Sequence, residues 1–241
     1  MPILVVADVH SNLDALEAVL ADAESRAPVD AIWVLGDTVG YGPQPRECIA
    51  LLRSYPCLAI AGNHDLAAAR IIDLTEFNPS AAQAIRWTRT EIGQAEHEWL
   101  AALPLTLSDS GFTLVHGSLT DPIWDYLVTP EVAEQHLSMQ QTKYGLVGHS
   151  HLPVVFSDQG RGARLLASGD TVPLANEPFV ANPGGLGQPR DGDPRTAYAL
   201  LDLEQGTITC HRIAYDIDRT QAKMRAAGLP QSLIDRLQLG R

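Results

Sequence analysis

The sequence predicts an α/β fold, a two-sheet domain with a helical insertion. In the first half, short continuous apolar runs alternate with stretches of helical spacing, the mark of βαβ units and a largely parallel sheet. From Pro153 onward, short strand patterns are joined by Gly, Asp and Pro turns, which reads as more antiparallel. A length of 241 residues suits one domain, residues 1–241, with an insertion inside it.

Residues 3–7 are a continuous apolar run, as expected for a strand buried on both faces. Leu13, Leu16, Val19 and Leu20 then recur at helical spacing, with Asn12 placed to cap the helix start. Residues 31–35 read as the second strand, 45–54 as a second helix and 57–61 as a third strand. Residues 66–103 read as the helical insertion. They are Ala-rich, with a start at Pro79-Ser80, and Trp87 and Trp99 fall on apolar faces where helix packing is expected. Residues 112–115 and 144–147 resume the strand pattern. Residues 154–156, 164–167, 196–202 and 207–213 read as further short strands. The tail from Asp218 reads as two short helices broken at Gly228-Leu229-Pro230.

Composition narrows the function. The formal net charge of −12 argues against coating nucleic acid, whose phosphates are held by Lys and Arg clusters, but it allows a small anionic substrate beside bound cations. No run approaches the roughly 18 to 20 apolar residues of a membrane span. The N-terminal run lacks a basic flank and is too short for a secretory signal. Three cysteines (Cys48, Cys57, Cys210) are odd in number and form no close pair. They read as free thiols of a reducing cytoplasm.

The chemistry lies where polar groups interrupt the apolar runs. Five strand patterns end in metal-ligand types: Asp8-Val9-His10, Gly36-Asp37, Gly62-Asn63-His64-Asp65, His116-Gly117 and Gly148-His149-Ser150-His151. In α/β sheets, ligand sites lie outside the carboxyl ends of the strands, so these groups are expected in one crevice. A mixed set of carboxylate, imidazole and amide suits manganese, iron or zinc. It is too large for one tetrahedral site and right for two divalent ions sharing a carboxylate. Two ions about 3.5 to 4 Å apart clamp a phosphoryl group and generate hydroxide at neutral pH.

This ordered set resembles the calcineurin-like metallophosphoesterase superfamily, most of all its small prokaryotic phosphodiesterase branch. All five motifs stand in the family's order across residues 8–151, and Asn182-Pro183-Gly184-Gly185 followed by Gln188-Pro189-Arg190-Asp191 is also similar, with Gly185 where Ser is usual. The resemblance implies a four-layered αββα sandwich of two mixed sheets. It implies that Asp8, His10, Asp37 and His151 hold a first metal, and that Asp37, Asn63, His116 and His149 hold a second. His64 would assist the leaving oxygen. Asp65 would orient the His64 imidazole through its other nitrogen, or else cap the helix that follows.

The implied activity is hydrolysis of a small phosphodiester or nucleotide phosphoanhydride by metal-bound hydroxide. Family phosphoprotein phosphatases carry an Arg shortly after the Gly-Asp motif. Residues 36–42 have none, which disfavours the alternative of a phosphomonoesterase or protein phosphatase. A non-enzymatic scaffold on the same fold would be expected to have damaged ligands. His97, His136 and His211 lie outside the motifs and read as core or surface histidines. Arg190 reads equally as a phosphate contact or a solvated loop residue. Trp124 and Tyr126 either flank a nucleobase or simply pack.

Overall fold

The computed structural model describes residues 2–157, 162–174 and 177–241. The first apolar run forms β1 (Pro2–Val6), and α1 (Leu13–Arg26) follows, its start capped by Asn12, which accepts from the Ala15 amide. Next come β2 (Ala31–Leu35), α2 (Pro45–Arg53) and β3 (Cys57–Ile60), with β1, β2 and β3 parallel. The expected insertion resolves into α3 (Asn63–Ala68), α4 (Pro79–Glu91) and α5 (Gln94–Ala101). The stretch between α3 and α4 is not helical. Then follow β4 (Thr106–Asp109), β5 (Phe112–Val115), α6 (Pro130–Met139), β6 (Tyr144–Leu146), β7 (Pro153–Ser157) and β8 (Gly162–Leu165). The chain closes with β9 (Thr171–Pro173), β10 (Phe179–Pro183), β11 (Thr196–Asp202), β12 (Thr207–Ile213), α7 (Ile217–Ala226) and α8 (Gln231–Leu239).

The strands form two mixed six-stranded sheets, in the orders β3-β2-β1-β11-β12-β9 and β4-β5-β6-β10-β7-β8. Alternation along each strand decides what it packs against. On the first sheet, Ile3, Val5, Trp33 and Leu35 face the space between the sheets, where they meet Phe112, Leu114, Leu146 and Phe179 of the second. Leu4, Val6, Ile32 and Val34 face outward onto Leu16, Val19 and Leu20 of α1 and Leu52 of α2. On the second sheet, Val180 and Phe156 face outward onto Ala133, Val132 and Leu137 of α6. Helix, sheet, sheet and helix make four layers, the αββα arrangement expected. Each fully buried Leu, Ile or Val contributes roughly 1.5 to 3 kcal/mol, so the inner and outer cores together fix the relative position of the strand ends.

The helices after β3 lie beside the strand ends. Ala68, Ala69 and Leu100 pack with Val39 and Ile49, with Trp99 and Ile92 against them. Ala81 and Ala84 of α4 join Met224, Leu233 and Leu237 of α7 and α8 around Tyr41, with Trp87 against that cluster. Trp87 and Trp99 are therefore packing residues, as their sequence positions indicated. No described helix is long and apolar enough to cross a membrane.

Candidate metal centre

The five strand-end motifs converge, three from the first sheet and two from the second. Asp8 and His10 follow β1, Asp37 follows β2, Asn63 opens α3 just after β3, His116 follows β5, and His149 and His151 follow β6. All seven are buried. Three groupings hold their ligand atoms within 4.8 Å of one another: Asp8, His10 and His151; His10, Asp37 and His64; Asp37, His116 and His149. Asn63 lines the same cleft, of about 160 Å³.

Five of these residues have left-handed backbones, with φ of +55° at Asp8, +47° at His10, +53° at Asp37, +63° at His149 and +57° at His151. Asp and His tolerate this conformation better than most residues, and it turns each side chain sharply off the strand end. Close approach also demands glycine. A Cβ on Gly62 would collide with Asp37 Oδ1 and the Asp37 amide.

Three of the imidazoles are oriented by the backbone. His10 Nδ1 meets the Val39 carbonyl at 3.2 Å, His116 Nδ1 the Leu35 carbonyl at 2.7 Å, and His151 Nδ1 the Gln188 carbonyl at 2.5 Å. A carbonyl only accepts, so each Nδ1 carries a proton, and in the neutral ring Nε2 presents a lone pair to the interior. These nitrogens crowd together: His10 Nε2 lies 3.3 Å from His151 Nε2, and His116 Nε2 lies 3.1 Å from His149 Nδ1. Asp37 Oδ2 faces His116 Nε2 at 3.4 Å and His10 Nε2 at 3.6 Å, while His151 Nε2 stands 3.3 Å from Asp8 Oδ1. Asp8 Oδ2, Asn63 Oδ1 and His149 Nε2 are buried without a hydrogen-bond partner.

The facing lone pairs of His10 and His151 cannot hydrogen-bond to each other, and buried acceptors without donors are costly. The donor set of nitrogen and oxygen atoms fits divalent first-row cations. The protonation equilibria of three rings agree, and His116 is the exception. Burial holds His10 and His151 well below the ordinary imidazole range and lowers His149 to about 3, leaving these rings neutral, the form that ligates. Burial alone would raise Asp37, but His116, His64 and His10 hold it well below the usual carboxylate range. His116 is opposed by burial yet raised to about 9, chiefly by Asp37. Burial pushes Asp8 up to about 7.

His64 is buried in the cleft lining, and its Nδ1 has no partner. Burial lowers it to about 4. Gly40, at φ +93°, lies flat against this ring, and a Cβ there would overlap Nδ1. The expected contact from Asp65 to His64 is corrected by the structure. Asp65 Oδ2 accepts from the Gly62 amide at 3.1 Å and the Thr38 amide at 3.2 Å, and Oδ1 accepts from the Val39 amide at 3.0 Å. Asp65 is the third residue of α3, a position from which a carboxylate reaches back over the helix start. The capping reading is the one realised, extended to tie the Asp37 turn to the start of α3.

Arg190 is half-buried in the cleft wall. Its guanidinium donates to Gln188 Oε1 at 3.2 Å and to the Tyr41 hydroxyl at 3.4 Å, and it meets no carboxylate among the described residues. It is thus a braced cation on the cleft and not a solvated loop residue. Tyr41 and Phe77 are also part of the site's surroundings and carry no periodicity or motif that announced them, whereas Gln188 stands in the Gln188-Pro189-Arg190-Asp191 stretch. His136 is buried, with Nδ1 accepting from the Leu119 amide and Nε2 donating to Gln140 Oε1, a satisfied core histidine. His211 tilts against Tyr198.

Comparison with known proteins gives the family of this chain. Residues 1–206 match the family described as the calcineurin-like phosphoesterase superfamily domain. A metallophosphoesterase from Sphaerobacter thermophilus superposes with a TM-score of 0.91 at 41% identity, covering 100% of this chain and 99% of that one. An uncharacterized protein of Methanocaldococcus jannaschii is 37% identical over 99% of this chain and 98% of its own length. A symmetrical bis(5'-nucleosyl)-tetraphosphatase of Vibrio vulnificus is 27% identical over 58% of this chain, which spans about half of that enzyme's length (52%). Matched along most of its sequence and superposable over its whole length, this chain belongs to the calcineurin-like phosphoesterase superfamily.

Proposed function

We propose that this protein is a phosphoesterase with two divalent metal ions that hydrolyses a small phosphodiester or a nucleotide phosphoanhydride. The observation that carries this reading is the convergence of backbone-locked imidazoles and buried carboxylates whose free acceptors face one another. Asp8, His10, Asp37 and His151 would hold one ion. Asn63, His116 and His149 would hold the other, with Asp37 shared. Manganese, iron and zinc all suit the set. Such ions, when bound, offset charge on a phosphoryl group and lower the pKa of water.

The chain's own residues divide the remaining work. His64 lines the cleft with its Nδ1 buried against Gly40, and its other ring nitrogen donates a proton or hydrogen bond to the departing oxygen. Asp65 is a positioning residue that braces the turns carrying Asp37 and His64. Arg190 offers its guanidinium to a phosphate oxygen. Residues 1–241 act as one domain with residues 66–103 inserted, and the three free thiols suit the reducing cytoplasm. The tetraphosphatase relative supports the anhydride end of the substrate range.

The test is to quantify bound metals and to assay bis-p-nitrophenyl phosphate against p-nitrophenyl phosphate with Mn²⁺, beside Asp37→Asn. Metal-dependent cleavage favouring the diester, abolished in the variant, is expected. Faster cleavage of the monoester would move the assignment to a phosphomonoesterase. A folded protein with neither metal nor turnover would overturn the proposal.

A further inference from the structure

The four tryptophans of the chain are not alike. Trp33 is buried between the sheets, and Trp87 and Trp99 pack against core clusters. Trp124 joins none of these clusters and lines the cleft over the metal centre, only partly buried. Beside it Tyr126 is 50% exposed, with its ring lying against the His149 imidazole at a centroid distance of 4.1 Å. Phe77, from the stretch between α3 and α4, meets Trp124 edge to face at 5.2 Å and His64 edge to face at 5.2 Å. Aromatic surface therefore runs without a break from the His64 ring to the mouth of the cleft.

The segment that carries Trp124 and Tyr126 is held still before any ligand arrives. The Gly117 amide donates to the Pro122 carbonyl at 2.8 Å, and the Ser118 amide to the Asp121 carbonyl at 2.9 Å. Asp121 Oδ1 accepts from the Ile123 and Trp124 amides, both at 3.1 Å, and Ser118 Oγ donates to Asp125 Oδ2 at 2.6 Å. Large aromatic side chains left partly in water on a braced loop gain nothing from the core. Held rigidly, they offer a flat apolar face at little entropic cost. Asn78, on the same cleft, uses its Oδ1 to cap α4, leaving its amide N–H groups as donors at the rim.

We propose that Phe77, Trp124 and Tyr126 form a nucleobase subsite, so that the substrate is a nucleotide ester or anhydride whose base stacks here while its phosphate reaches the metal centre. The proposal rests on the phosphoesterase reading for its phosphate end only. A planar heteroaromatic base presents a π face to Trp124 or Tyr126 and polar edges to Asn78. A bare sugar phosphate reaches the same centre and leaves the aromatic wall wet.

The test compares binding of AMP and ribose 5-phosphate to the Mn²⁺-loaded protein by calorimetry, since the two share phosphate and sugar and differ in the base. AMP should bind about 10- to 100-fold more tightly. Trp124→Ala should bring the two affinities together, Tyr126→Ala should narrow the gap, and Trp124→Phe should keep most of it. Equal binding in the wild type, a gap that survives Trp124→Ala, or no detectable AMP binding would overturn the subsite. The two readings fail separately. An AMP preference with turnover of neither a diester nor a nucleoside polyphosphate retains the subsite and removes the phosphoesterase, whereas turnover without base preference does the reverse.

Discussion

The backbone amide of His64 donates to Asp37 Oδ1 at 2.9 Å, so the residue placed over the cleft also aims the carboxylate beneath it. With Oδ1 fixed, Oδ2 turns to His10 and His116. The same device recurs across the site, where the His149 amide donates to Asp8 Oδ1 at 3.1 Å and leaves Oδ2 free. Each carboxylate is thus oriented by an amide from a different strand end. Left-handed backbones at five ligand positions cost of order 1 to 3 kcal/mol each, and the packed sandwich must hold them.

His64→Ala should lower turnover of a diester by about 10² to 10⁴ while both metals remain bound, because the ring touches the cleft and the amide that aims Asp37 is kept. Steady-state kinetics with metal analysis checks this. Full activity in the variant would remove His64 from the mechanism.

Asp65→Asn should lower unfolding free energy by about 2 kcal/mol, because a buried carboxylate that serves three amides is replaced by a group with one acceptor oxygen. Urea melts should show the same loss in a His64→Ala background. If the loss vanishes there, Asp65 acts through the imidazole after all.

Arg190→Ala should reduce kcat/KM by about 10- to 100-fold, the scale of one lost hydrogen bond to a charged group. Arg190→Lys should recover little, because the planar guanidinium is braced by Gln188 and Tyr41. Full rescue by Lys would reduce the role of Arg190 to charge alone.

His136 gives the pH prediction. Burial lowers it from 6.5 to about 4, since a protonated ring would point a second N–H at the Leu119 amide. The unfolded chain takes up this proton first as pH falls. The contribution of His136 to stability is therefore fully present above about pH 6.5 and is lost between there and about 4, approaching roughly 3 kcal/mol. Urea melts at pH 7 and 4.5 should show a smaller acid loss in His136→Gln than in the wild type. An identical loss would assign the effect to other groups.

Much of this site is legible in the sequence, because ligand-type residues break apolar strand runs and strand ends share an edge. The paired strands β11 and β12 were legible because each is a seven-residue run set off by turn residues. By contrast, β4 is a four-residue, mostly exposed edge strand whose pattern comes from its pairing with β5, and α6 drew no expectation at all. The sequence by itself determined which residue types stand at the strand ends, the order of those ends and the two-sheet α/β class. Only the tertiary structure decided that Asp65 braces amides, that Arg190 lies on the cleft with no carboxylate partner among the described residues, and that Phe77, Trp124 and Tyr126 share a wall with His64. Those relationships join residues up to 149 positions apart, as with Arg190 and Tyr41. They depend on how two sheets and their helices pack, which local spacing does not encode.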